Sequence, residues 1–115
     1  MSELITPQEL SKIGLSQQEL LSKFNAQLVK DFEMCAVQYY LEPIPNFEYK
    51  HVHQHIYNAL KLILIKAPGQ YQQLLYTIDI PERKITEADE VSITSDLIIK
   101  RTLQKVILKI IHSKK

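Results

Sequence analysis

The chain has 115 residues, 45% apolar and 23% charged, enough for a core that removes about 65% of the unfolded surface from water and too apolar to stay disordered. Its two glycines, Gly14 and Gly69, exclude a glycine-rich phosphate loop, and its one cysteine, Cys35, excludes an intrachain disulfide and a cysteine-built zinc site. The net charge is +1, yet residues 97–115 carry six cations and no acid above a body of net −5, the pattern of a basic helix packed on an acidic body.

Five prolines divide the chain into segments with helical periodicity. Thr6-Pro7-Gln8-Glu9 reads as an N-cap, a proline at the first helical position and the closing Glu of a capping box, for a short helix that stops at Gly14. Ser16 and Glu19 form a second box, and the helix it opens is expected to run to about Tyr40 because no Gly or Pro intervenes. Its stripe is Leu21, Phe24, Leu28, Phe32, Cys35 and Tyr39. Pro43 and Pro45 impose a rigid non-helical connection, after which Asn46 is expected to cap a helix over 47–66 with Tyr49, Val52, Ile56, Ala59, Leu60, Ile63 and Leu64 inward. Ala67-Pro68-Gly69 ends it, and a short helix over 70–78 follows with Tyr71, Leu74, Leu75 and Ile78 inward. Residues 79–94 are the least patterned, with one helical turn expected around 81–88. The last helix is expected over 95–112, capped by Ser95 or Thr94. Ile99, Leu103, Val106, Ile107, Ile110 and Ile111 form its face, and Leu97 and Leu108 widen that face to about half the circumference. A helix this apolar is either central or leaves part of its face for a partner chain.

Four groups of residues invite a chemical reading. His51, His53 and His55 would share one face on a strand. On a helix only His51 and His55 lie one turn apart, and with Glu48 they make a candidate metal site, Glu48/His51/His55; His53 points to the apolar stripe. Residues 6–24 have the outline of a helix-turn-helix DNA reader, with Ile13, Leu15 and Leu20 suitably spaced around Gly14. Leu10 and Glu9 depart from that pattern, and Gln17, Gln18, Glu19 and Lys23 would bring little positive charge to phosphates. Arg101, Lys105 and Lys109 form a cationic strip that could contact nucleic acid or another anion, although a solvated face is the ordinary reading of such a strip. Among the aromatics near the proline turn (Tyr39, Tyr40, Phe47, Tyr49 and Tyr57), Tyr39 and Tyr49 fall on core stripes, whereas Tyr40 falls outside and is a candidate exposed contact. Cys35 on its apolar stripe is expected to be an inert thiol.

These patterns predict one all-α domain spanning 1–115, a bundle of four to six helices with a long second helix and an apolar C-terminal helix. Leu21, Phe24, Leu28, Phe32, Ile56, Leu60, Ile63, Leu75, Leu103, Val106 and Ile110 are expected in its core. Met1–Pro7 lacks a cationic segment followed by an apolar run, and the longest apolar run is Leu62–Ile65, so neither a signal peptide nor a membrane span is expected and the chain reads as cytoplasmic. No catalytic spacing is present and no cofactor is implied. The expected function is a non-enzymatic protein–protein interaction module, binding another protein or itself as a homo-oligomer. DNA binding through 6–24 is the alternative and metal binding at Glu48/His51/His55 the third.

Overall fold

Helix-forming signals that lie close together in the sequence are realised as read. The computed structural model describes residues 5–80 and 90–113. Helix α1 (Pro7–Ile13) has the full capping box: Thr6 Oγ1 accepts from the Glu9 N–H at 3.2 Å and Glu9 Oε1 accepts from the Thr6 N–H at 2.8 Å. Helix α2 (Gln17–Met34) repeats it with Ser16 and Glu19 at 3.1 and 2.9 Å. Both glutamates are held below the usual carboxylate range, first by the backbone N–H of Thr6 or Ser16 and then by its hydroxyl.

Helix α2 stops at Met34, six residues short of the expected Tyr40. The Val37 N–H reaches the Phe32 carbonyl at 3.0 Å and the Ala36 N–H reaches Glu33 at 3.0 Å, the two bonds of a Schellman ending. Ala36 takes the left-handed position at φ 59°, which costs a Cβ-bearing residue about 1–2 kcal/mol. The ending buries Val37 completely beside buried Phe32, and that offsets the strain. The same ending closes α1 at Gly14, and also closes helix α4 (Pro68–Ile78), where Asp79 sits at φ 72° and the Ile80 N–H reaches the Leu75 carbonyl at 2.9 Å. Only the first of these three stops carries the glycine that a sequence reader looks for.

A short 3₁₀ turn (Gln38–Tyr40) follows α2 and inverts the expected tyrosine placement: Tyr39 is 81% exposed, while Tyr40 packs against the core. The helical wheel fails there because the helix has already ended. The proline connection is pinned to α2 by one side chain: Asn25 Oδ1 accepts from the Ile44 N–H at 3.3 Å, and Asn25 Nδ2 donates to the Ile44 carbonyl at 3.2 Å. Ile44 and Phe47 are thereby buried, with Phe47 edge-on to Phe24 at 5.2 Å.

Helix α3 (Tyr49–Lys66) begins two residues later than expected, with Glu48 at the N-cap. Asn46 Oδ1 accepts from the Glu48 N–H at 3.3 Å, forming a turn ahead of the helix rather than its cap. Helix α4 begins two residues early because Pro68 occupies its first turn. Helix α5 (Glu90–Ser113) starts well before the expected Ser95. Thr94 and Ser95, read as caps, lie buried inside it, and Ser95 Oγ donates to the Val91 carbonyl one turn back at 2.8 Å, so the hydroxyl needs no other partner. The turn expected around 81–88 lies outside the described residues.

The product is an all-α bundle of five α-helices, with no strand among the described residues. Helix α5 packs on α3 and α2 with α1 against its flank, and α4 packs mainly on α3 and α2 and touches α5 more lightly. Eight of the eleven expected core residues are buried; Leu21, Leu75 and Leu103 are only partly so. On α5 the buried stripe runs Ser95, Ile98, Ile99, Thr102, Val106 and Ile110. It is rotated from the expected face, with Ser95 and Thr102 fully buried in it and Leu103 and Ile107 at its margin. Leu108 and Ile111 are turned outward. No helix among the described residues is long and apolar enough to cross a membrane.

Candidate interaction face

The cationic strip of α5 faces the bundle. Lys105 Nζ lies 3.2 Å from Asp31 Oδ2 and 3.4 Å from the Thr77 carbonyl, joining α5 to α2 and α4 at once. Asp31 is 3% exposed and also accepts from Gln27 Nε2 at 3.2 Å. Lys109 Nζ donates to Gln27 Oε1 at 2.6 Å, and Arg101 pairs with Asp79 at 3.2 Å beyond the end of α4. Gln27 and Asp31, i and i+4 on α2, are therefore the buried polar receivers for a strip with the same spacing on α5. A buried carboxylate is tolerated only when paired in this way.

Outside this polar seam the surface is concave. A shallow depression of about 580 Å³ lies over Asp31, Thr77 and Lys105, and a second of about 350 Å³ lies between α2 and α5 over Val106 and Ile110. Gln27, Lys30 and Lys109 line both, so the two adjoin as one groove along α2 and α5. Its α2 side runs from Lys23 to Met34, about 16 Å at 1.5 Å per residue. Three large apolar side chains from three different helices stand at one end: Met34 of α2 (69% exposed), Tyr76 of α4 (87% exposed) and Leu108 of α5. Sequence reasoning missed Gln27, Asp31, Met34 and Tyr76. The one available signal was that Gln27 and Asp31 interrupt α2 at the same i, i+4 spacing as the α5 cations.

The histidines divide as helix geometry requires. His51 Nδ1 lies 2.8 Å from Asn46 Oδ1 and 3.1 Å from Glu48 Oε1. Both oxygens accept, so Nδ1 carries the proton and is not free to ligate a metal. His55 does not complete the set: among the described residues no three His, Cys, Asp or Glu side chains are placed to hold a metal ion. His53 is half-buried at the α3–α5 seam, not fully in the core. It stacks between Tyr49 and Tyr57 at 5.5 and 6.0 Å, and its Nε2 lies 3.2 Å from the Ser92 carbonyl, 3.3 Å from Ser92 Oγ and 3.7 Å from Asp96 Oδ1. A nucleophilic relay uses the two ring nitrogens for serine and aspartate separately, with the nitrogen nearest serine bare. Here one nitrogen, Nε2, faces both residues and the Ser92 carbonyl. Asp96 instead accepts from the Tyr49 hydroxyl. Burial first, then that bond and the carboxylate charge, push the Tyr49 hydroxyl up to about 12. The cluster ties the start of α5 to α3.

The corner at 6–24 forms as two capped helices around Gly14, with Ile13 and Leu20 buried and Gln17, Gln18, Glu19 and Lys23 exposed. Its first helix finds its main support on α5. Comparison of the chain with protein-family models, curated proteins and solved structures finds no match in any of the three.

Proposed function

We propose that the protein is a non-enzymatic protein–protein interaction module whose contact face is the groove formed by α2, α4 and α5. The observation that supports this reading is the convergence of exposed Met34, Tyr76 and Leu108 beside one concavity. Scattered exposed apolar residues are ordinary, whereas a group around a depression marks a contact site. The contact is with another protein or with a second copy. Lone Cys35, buried with its sulfur 3.4 Å from Thr77 Oγ1, suits a reducing compartment, and the module is assigned to the cytoplasm on that ground.

The test is a benzophenone amino acid in place of Tyr76, irradiated in cells that express the protein, together with light scattering across concentration. A discrete adduct at position 76 that is missing when the label replaces Lys12 on α1, or reversible self-association, is the expected result. A monomer at every concentration with no adduct at 76 refutes the reading.

A further inference from the structure

Resting on that reading, we infer that the occupant of the groove is an acidic amphipathic helix of a partner protein. The groove offers what such a helix needs on both of its faces. Its floor is apolar at one end, over Ala26, Val106 and Ile110, and polar in its larger part, over Asp31, Thr77 and Lys105, where Met34, Tyr76 and Leu108 supply an apolar rim. Its edges are cationic: Lys23, Lys30, Arg101, Lys105 and Lys109 line it, and Asp31 is the one acid. That acid is buried and already paired with Lys105, and Arg101 is paired with Asp79. Lys30, on α2, forms no ion pair among the described residues. Lys109, on α5, meets only the neutral Gln27 oxygen. Lys30 and Lys109, with Lys23, which also forms no ion pair among the described residues, therefore leave uncompensated positive charge along a groove about three helical turns long. The groove is apolar over Val106 and Ile110 at one end and at the Met34 rim at the other. A helix laid along this length would set apolar residues against the two apolar ends and Glu or Asp beside the cations between and around them.

The charge also argues against the other occupants. A two-fold dimer through this face would lay cations on cations. A nucleic acid would use the cations and leave the aliphatic end of the floor and Met34 without a role.

A displayed library of random amphipathic helices, each about 14 residues long, is screened on the intact chain. The expected selection is enriched in Glu and Asp around an apolar row. A synthetic peptide from it should bind with an affinity that falls with salt and weakens about tenfold in Lys30→Glu. A similar loss is expected in Met34→Asp, and no change in Lys12→Glu on α1. Lys30 and Met34 are exposed, so both variants should fold, and circular dichroism checks this. Four outcomes overturn the inference: selected peptides without acidic excess; equal binding to Lys30→Glu and Met34→Asp; tighter binding of a single-stranded RNA or duplex DNA oligonucleotide that Lys30→Glu abolishes; or dimerisation that Met34→Asp abolishes. The last of these, like an adduct at position 76 from a partner that is not acidic, leaves the interaction reading standing while removing this one.

Discussion

Replacing Lys105 with Met should destabilise the bundle by about 3 kcal/mol, because it strands a buried carboxylate. Asp31 keeps only 5% of its side-chain surface in solvent, and Lys105 keeps 18%. At 3.2 Å two unit charges attract by about 5 kcal/mol at an effective dielectric of 20. Desolvation cancels part of that. Removing one member of a buried pair still costs about 3–5 kcal/mol. The lower end applies here because Lys105 reaches solvent and because Gln27 Nε2 still donates to Asp31. The assay is urea unfolding followed by circular dichroism. With a slope of about 1.5 kcal/mol per molar, the midpoint should fall by about 2 M. The double variant Asp31→Leu, Lys105→Met should return to within about 1 kcal/mol of the parent, since an apolar pair of similar volume replaces the ionic one at little cost. The loss in Lys105→Met should persist in high salt, because a buried pair is weakly screened. A cost below about 0.5 kcal/mol for Lys105→Met would refute the reasoning, since that is what a solvated surface pair contributes.

Three further outcomes follow from the same structure. Ala36→Gly should stabilise the protein by about 0.5–1 kcal/mol, since Ala36 is exposed, sits at φ 59° and loses no packing; a melting temperature that falls would contradict the left-handed helix ending. Leu28→Ala, at a fully buried position, should cost about 2–5 kcal/mol, and Leu103→Ala, only half-buried, clearly less; equal losses on thermal melting would return Leu103 to the core. Of the six tyrosines, Tyr49 and Tyr71 are raised, Tyr71 by burial first and Tyr49 to about 12 by burial and then by Asp96. A raised value means the fold favours the neutral phenol. The Tyr49 contribution is therefore complete below the ordinary value of 10.0 and is lost as pH rises through about 12. An ultraviolet titration should show late phenolate absorbance of which Tyr49→Phe removes one tyrosine's share and leaves that of Tyr71, and a late step unchanged by Tyr49→Phe would place that hydroxyl in solvent.

The signals that the sequence carried intact were those that act within one turn of helix. Two capping boxes, Pro7 at a helix start and Gly14 at a helix stop lie within a few residues of their partners, and each forms as read. Most of the apolar stripes of α2 and α3 was legible for the same reason, since 3.6-residue periodicity is a local property; Leu64, expected inward, is exposed, Leu21 is only partly buried, and Tyr39 lies past the end of α2. The all-α class followed from them, whereas the place of α5 among its neighbours stayed open between a central helix and one with a free face. The end of α2 was not legible, because Ala36 carries no stop signal and the ending depends on burying Val37 against a core assembled from distant segments. Nor was the orientation of α5. A helical wheel counts Ser95 and Thr102 as polar, whereas both are fully buried, with Leu103 only partly buried and Leu108 44% exposed.

The cationic strip depended still more on tertiary structure. Its charge pattern is local, but its partners are not: Asp31 is 74 residues from Lys105, and Gln27 is 82 residues from Lys109. The groove edge joins Met34, Tyr76 and Leu108 from three helices. Periodicity says which side of a helix seeks cover. Which other helix supplies the cover is settled only when all five pack together, because that choice is made by shape and charge across the whole core.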